Sequence, residues 1–255
     1  MDSNGPKQKS GQKILQIIIE LMEQEPLGVT EIADRLDIAK STAHYHLKTL
    51  SEEGYIINDG GKYRLSLRFL RIGELTRSRI PIYDVAKDEV EQIADETGEL
   101  AILGVEEQGF GVYIHKSSGE NAVDIDAPIG RFAHLHNRAY GKAILAHLEK
   151  PCVESILGKH GLPRTTDQTV TTPEALFDEL KQIRGRGFAV NQEESIEGIH
   201  GVAVPILDND GSVLGAISLA GPSRRLGHEK MTDEYADLLL KARNVIELNV
   251  HHREF

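Results

Sequence analysis

The sequence is short of the features on which several large protein classes depend. It has one cysteine, Cys152, so an internal disulfide is excluded and a reducing compartment is expected. That residue follows Pro151 in a helical-looking segment, which suits a structural thiol better than a nucleophile. No His-Cys-Cys constellation is present for a structural zinc. No apolar run approaches the length of a membrane span. The opening stretch MDSNGPKQKSGQ lacks the apolar centre of a secretory signal, and a cytoplasmic location is expected. A G-x-S-x-G elbow, a P-loop and a G-x-G-x-x-G after a strand are all missing, as are internal repeats and low-complexity tracts.

Basic charge is also scarce, with a formal net charge of −11. The deficit is uneven. Residues 1–80 carry 12 Lys and Arg against 11 Asp and Glu, a balance of +1, whereas the remainder carries 17 against 29, a balance of −12. An acidic C-terminal part is repelled by nucleic acid, so any docking on DNA falls to the N-terminal part. Surplus acid with few lysines is also a trait of cytoplasmic proteins from salt-loving organisms. The length of 255 residues suffices for two domains with cores of their own.

The chain is organised around residues 29–65, VTEIADRLDIAKSTAHYHLKTLSEEGYIINDGGKYRL. Ile32, Ala33 and Leu36 give a first helix, about Thr30 to Leu36, an apolar face. Asp37-Ile38-Ala39 is a turn. Ala43, Leu47 and Leu50 then recur at i, i+4 and i+7, which predicts a second helix from about Lys40 to Glu53. Its other face presents Ser41, Thr42, His44, Tyr45, Lys48 and Thr49, while His46 lies beside the buried stripe. Gly54 stands where a helix C-terminus takes positive φ. Tyr55-Ile56-Ile57, the turn Asn58-Asp59-Gly60-Gly61 and Lys62-Tyr63-Arg64-Leu65 read as a hairpin. Helix, turn, helix and hairpin make a winged helix-turn-helix. A hydroxyl-rich, basic second helix meets what a major groove offers, since hydroxyls and amines reach phosphates and base edges. A winged domain used only for protein contacts is the bland alternative.

Residues 1–10 read as a disordered tail and residues 11–24 as a helix packing Ile14, Leu15, Ile18, Leu21 and Met22 over the core. Ser66 to Arg79 predicts a linker helix, with Leu67, Leu70 and Leu75 on one side and several arginines elsewhere. The second domain opens at Pro81 with a helix over Ile82–Thr97. Strand-like runs follow at Leu100–Glu106, Gly109–His115 and Ala122–Asp126, then a loop and helices at Ala139–Leu148, Pro151–Leu157 and Pro173–Arg184. Strands at Phe188–Asn191, Val202–Leu207 and Val213–Ala220 precede a last helix from about His228 to His251. The fold class is α+β, an antiparallel sheet flanked by helices behind the winged domain.

The whole chain, from about residue 11 to 250, resembles the IclR family of transcriptional regulators. IAKSTAHYHLKTLSEEGYI and GKYRLSLRFLRIG resemble its recognition helix and wing, HLHNRAYGKAILA its conserved helix start, and GFAVNQEESIEGIHGVAVPILDNDGSVLGAISLAGPSRRL its C-terminal signature. The resemblance implies a winged DNA-binding domain at 11–65, a linker helix at 66–80 and a GAF-like effector-binding and oligomerisation domain at 81–255. It implies a non-enzymatic, sequence-specific regulator of a catabolic pathway. A homodimer or dimer-of-dimers tetramer would sit on a pseudo-palindromic operator, with no cofactor and no membrane. Lys40, Ser41, Thr42, Lys48 and Lys62 are expected to meet phosphate or base edges, and His44 and Tyr45 to set sequence choice. Tyr45 and His46 stand where the family more often has Arg and Leu.

The resemblance also places a small-molecule pocket between the sheet and the loop that opens the Ala139 helix. The family's ligand contacts map to Ala133, Ala139, Tyr140, Asn191, Gly201, Ser218 and Ala220, to which His136 and His200 are added as polar candidates. Several members have Asp, Cys and a second Ser where this chain has Asn191, Gly201 and Ala220, so the effector is expected to differ. Free N–H groups around Arg138 to Gly141 suit a carboxylate, and Gly141 permits close approach of backbone or ligand. A carboxylate or sugar acid is the expected effector. Each candidate has a structural reading beside this one: Ser218 satisfying a strand, His136 capping a helix or filling core. The alternative function is a GAF-type metal-dependent enzyme with an N-terminal protein-interaction domain, drawing on His115, His134, His136 and His200. No cysteine or ordered carboxylate completes a ligand set for it.

Overall fold

The computed structural model describes residues 6–125 and 127–253. The chain divides into two compact units, one through Arg77 and one from Ser78. No helix among the described residues is long and apolar enough to cross a membrane.

In the first unit, α1 (Pro6–Glu23) leads to a short strand β1 (Leu27–Gly28), then α2 (Val29–Arg35) and α3 (Lys40–Glu52). The hairpin β2 (Ile56–Asp59) and β3 (Lys62–Leu65) follows, and α4 (Arg68–Arg77) closes the unit. The expected tail is in part helical, because α1 begins at Pro6; residues 1–5 of that expectation lie outside the described residues. β1 was not expected: Leu27 pairs with Tyr63 and Gly28 with Lys62, which extends the wing to three strands. Ile17 and Leu21 of α1, Ile32 and Ala33 of α2, Ala43, Leu47 and Leu50 of α3, and Ile56 and Tyr63 of the hairpin form one core. His46 is buried on that stripe.

Local rules account for the ends. The Glu31 carboxylate accepts from the Gly28 N–H at 2.6 Å and so caps α2. α3 ends as anticipated, with Gly54 at φ 73, its N–H donating to Ser51 O and that of Tyr55 to Leu50 O. Gly60 and Gly61, at φ 59 and 89, make the two-residue turn whose twist matches antiparallel strands. Leu70 and Ile72 of α4, and Leu67 just before it, are exposed.

The second unit is a six-stranded antiparallel sheet, ordered β6 (Phe132–His134), β5 (Phe110–Ser118), β4 (Leu100–Glu107), β9 (Val213–Pro222), β8 (Ile199–Leu207) and β7 (Ala189–Gln192). α5 (Tyr83–Thr97) and the last helix α9 (Ala236–Arg253), entered through a π-helical turn at Lys230–Tyr235, pack on one face. α6 (Ala139–Leu145), α7 (Lys150–His160) and α8 (Pro173–Arg186) belong to the core on the other. The strand expected at Ala122–Asp126 does not form over residues 122–125, and Asp126 lies outside the described residues. Ala122 and Ile125 pack on the core without a ladder, and the three-residue β6 takes the edge beside β5. α6 also stops at Leu145, short of the expected Leu148.

The two faces of the sheet differ in bulk. Leu103, Val105, Val202, Val204, Ile206, Ile217 and Leu219 point to the α5–α9 side. The residues between them are smaller on the α6 side: Gly104, Gly201, Ala203, Ala216, Ser218 and Ala220. A Cβ on Gly104 would lie 2.4 Å from the Tyr140 ring, and one on Gly111 2.3 Å from its hydroxyl, so these two glycines admit the tyrosine. Gly141 plays the matching part on the helix, where a Cβ would lie 2.2 Å from Leu135 O. Its close approach is thus to backbone, and not to a ligand.

Gly141→Ala should lower stability by about 2 kcal/mol or more, since the obstruction is backbone that cannot yield. Gly185→Ala, in α8 with nothing within 4 Å of the new carbon, should leave it unchanged or raise it by up to about 1 kcal/mol. Urea unfolding midpoints measure both.

Candidate functional site

The first candidate site is the outer face of α3. Lys40, Ser41, His44, Tyr45 and Lys48 are exposed and Thr42 is half-buried, while Ala43, His46, Leu47 and Leu50 turn inward. Tyr45 is 66% exposed, a large ring held out from the buried side of α3. The buried His46 ring meets it edge-on at 5.4 Å, which steadies Tyr45 from below. Burial, with Lys13 nearby, holds the His46 imidazole below its ordinary pKa, so it is not the cation of this face. On the wing, Lys62 reaches Glu31 at 2.6 Å, and this pair lowers the Glu31 pKa. Any phosphate at Lys62 therefore competes with a carboxylate. Arg64, two residues along the same strand and exposed, was not singled out from the sequence. No ion pair engages it among the described residues.

The second is a cavity of about 40 Å³ between the small-residue face of the sheet and the start of α6. Of the residues expected there, Ala139, Tyr140, Asn191, His200, Gly201, Ser218 and Ala220 line it. Ala133 and His136 do not. Ala133 is fixed on the edge strand opposite Gly111. His136, 2% exposed, donates through Nε2 to Pro163 O at 3.2 Å and serves the core. Ile102, Tyr113, Ile125, Arg138, Ser195 and Ile196 are among the other residues that line it. The one local signal for Arg138 was its place before α6, where a short hydroxyl or amide side chain usually caps. It is the N-cap residue and makes no side-chain capping bond.

Partners inside the protein limit what the polar lining can do. The Asn191 Nδ2 donates to Asn137 O, and its Oδ1 accepts from the Glu194 N–H at 3.2 Å. Asn191 thus ties the α6 entry to the loop after β7. His200 donates from Nδ1 to Leu226 O at 2.7 Å and faces Glu193 at 3.7 Å. The Tyr140 hydroxyl lies beside that of Tyr113 without hydrogen-bonding geometry. Burial keeps this phenol neutral, its pKa raised well above 10. Arg138 Nη1 donates to the Tyr113 hydroxyl at 2.8 Å.

The wall carrying Ser195 and Ile196 is held firmly. Thr166 donates to Glu193 O at 2.7 Å, and Thr165 and Thr169 donate to Glu194 O at 2.7 and 2.8 Å. Beneath it lies Lys142, 0% exposed, with its ammonium 2.5 Å from both Glu179 and Glu194. Burial raises the Glu194 pKa, and the lysine opposes that rise. Removing one member would strand a buried charge, so the three act together.

Burial also lowers the His136 pKa, to about 4. A neutral folded histidine beside an unfolded one of ordinary pKa stabilises the fold fully above about pH 6.5, and less as pH falls towards 4. His136→Gln should therefore gain on the wild type by roughly 2 kcal/mol between pH 7 and 4.5, whatever their difference at pH 7. Urea unfolding at the two pH values measures this.

The family model for the bacterial transcriptional regulator IclR C-terminal domain matches residues 75–247, and that for the IclR helix-turn-helix domain matches residues 12–60. The regulator KdgR of Escherichia coli is 31% identical over 235 residues, 91% of this chain and 89% of that protein. The crystal structure of Thermotoga maritima IclR superposes with TM-score 0.80 at 29% identity, covering 96% of this chain and 98% of that one. An IclR homologue from Microbacterium hydrocarbonoxydans, complexed with 4-hydroxybenzoate, shares the fold at TM-score 0.79 and 24% identity, over 94% and 99% of the two chains. These relatives are transcriptional regulators, which leaves the metal-dependent enzyme reading unsupported. With a helix-turn-helix domain followed by an effector-binding domain along one chain, the protein belongs to the IclR family of transcriptional regulators.

Proposed function

We propose that the cavity beside α6 takes a small carboxylate effector, and that its occupancy shifts the affinity of α3 and the wing for an operator. The observation that carries this is the cavity itself, placed where small sheet residues meet the start of a helix. Its volume of about 40 Å³ holds only a few water-sized spheres, which favours a short acid over the bulkier sugar acids. The effector acts only through its differential affinity for DNA-competent and incompetent arrangements, so that difference sets the sign of regulation. A catabolic acid as signal and a cytoplasmic site of action are part of the same reading.

On DNA, α3 enters the major groove. Lys40, Ser41, Thr42 and Lys48 meet phosphates or base edges, His44 and Tyr45 choose sequence, and Lys62 with Arg64 extends the contact along the wing. The acidic remainder of the chain stays off the duplex. The protein works as a homo-oligomer whose two winged units occupy the half-sites of a pseudo-palindrome. The exposed Leu70 and Ile72 of α4 with Leu67 just before it, and Leu15, Ile19 and Met22 of α1, supply apolar surface for a second copy.

Anisotropy with the DNA upstream of the protein's own coding sequence, against scrambled DNA across a salt series, tests the operator reading. Tyr45→Ala should cut discrimination between the two by roughly tenfold, as expected for a lost base contact, with little effect on scrambled DNA. Unchanged discrimination would remove Tyr45 as a reader. For the oligomer, Leu70→Asp should shift mass in analytical ultracentrifugation towards monomer and weaken operator binding. An unchanged mass would place the interface elsewhere.

A further inference from the structure

We propose that the Arg138 guanidinium is the group in this cavity that reads the effector's carboxylate, and that Tyr113 positions it. This rests on the cavity being the effector site.

Arg138 is a half-buried cation in the cavity lining, yet no carboxylate neutralises it among the described residues. A guanidinium can donate five hydrogen bonds. The one formed to another side chain goes from Nη1 to the Tyr113 hydroxyl, and Nε is buried without a partner. Half-burying a cation without a counter-ion is costly, and it persists only where another term offsets it. Helix capping is not that term, since the side chain makes no capping bond to α6. The hydroxyl of Tyr113 holds one end of the group, and the Tyr113 ring lies 5.9 Å from its central carbon. A planar donor fork fixed in this way is preorganised for a carboxylate.

The neighbouring side chains offer no other reader of charge. Asn191 and His200 are engaged by Asn137, Glu194 and Leu226, and the Tyr140 phenol is neutral. The ammonium of Lys142 is spent on Glu179 and Glu194 and does not line the cavity. Ser218, across the small-residue face, remains to meet a hydroxyl or carbonyl of the same ligand. The ligand class is therefore a compact organic anion, with its carboxylate at Arg138 and a polar group at Ser218.

Calorimetry on the full-length protein tests this with acetate, lactate, gluconate and benzoate, each against its own amide, and with glycerol as a neutral probe. At least one acid should bind the wild type tenfold or more tighter than its amide. Arg138→Gln should weaken that acid by roughly 10–100-fold, the range of hydrogen bonds to a charged group, and erase the preference over the amide. Arg138→Lys should keep part of it. Tyr113→Phe should weaken the acid several-fold while the preference stays, whereas a merely structural role would show as a lower unfolding midpoint. Acid binding to Arg138→Gln within twofold of wild type would overturn the proposal and leave the pocket reading intact. Glycerol binding without any acid would do the same. Binding of no probe would overturn both.

Discussion

The second unit depends on an absence of side chains. On one face of its sheet, Gly104, Gly111 and Gly201 have no Cβ, and Ala203, Ala216, Ser218 and Ala220 add little more. Strand alternation sets these positions against the bulky Leu103, Val204 and Ile217 of the opposite face. Tyr140 therefore lies down over Gly104 and Gly111, and Gly141 lets α6 touch the carbonyl of Leu135. Where Tyr140 ends and Gly201, Ser218 and Ala220 continue, the cavity remains. It is what is left when one large ring fills half of a shallow trough.

A trough of this kind would be soft if its far wall were mobile. Three threonines and the buried Lys142 hold that wall, and Asn191 ties it to the entry of α6. The energy of these bonds goes into shape, because each group is satisfied by protein and few are left for a ligand. Arg138 is the exception, a charge held in place by Tyr113 with no carboxylate paired to it among the described residues.

The winged unit was largely legible because its signals are local. Ala43, Leu47 and Leu50 state the helix phase, Gly54 its end, and Gly60-Gly61 the turn. β1 was not, since two residues ladder only once Tyr63 is folded beside them. In the second unit the strands and helices could be read, but the edge could not. Ala122–Ile125 alternates like a strand yet packs as coil, and β6 is too short to announce itself. The site was half legible. Family resemblance named six of the lining residues and side-chain polarity a seventh, His200, while Tyr113 and Arg138 meet across 25 positions of sequence and Asn191 and Asn137 across 54. Whether a polar side chain is free for a ligand or already engaged depends on such distant partners, which no pattern in the chain records. His136, two residues before Arg138, turned into the core for the same reason.

The central claim is that the cavity and the α3 face are energetically coupled. The direct measurement is the affinity of the full-length protein for its operator DNA, with and without a saturating acid that calorimetry shows to bind. Alongside it runs the affinity for that acid with and without the DNA. Coupling requires both to change by the same factor, roughly 5–150-fold for typical allosteric proteins. Equal factors above fivefold would establish the account. An acid that fills the cavity and leaves the DNA affinity unchanged would contradict it.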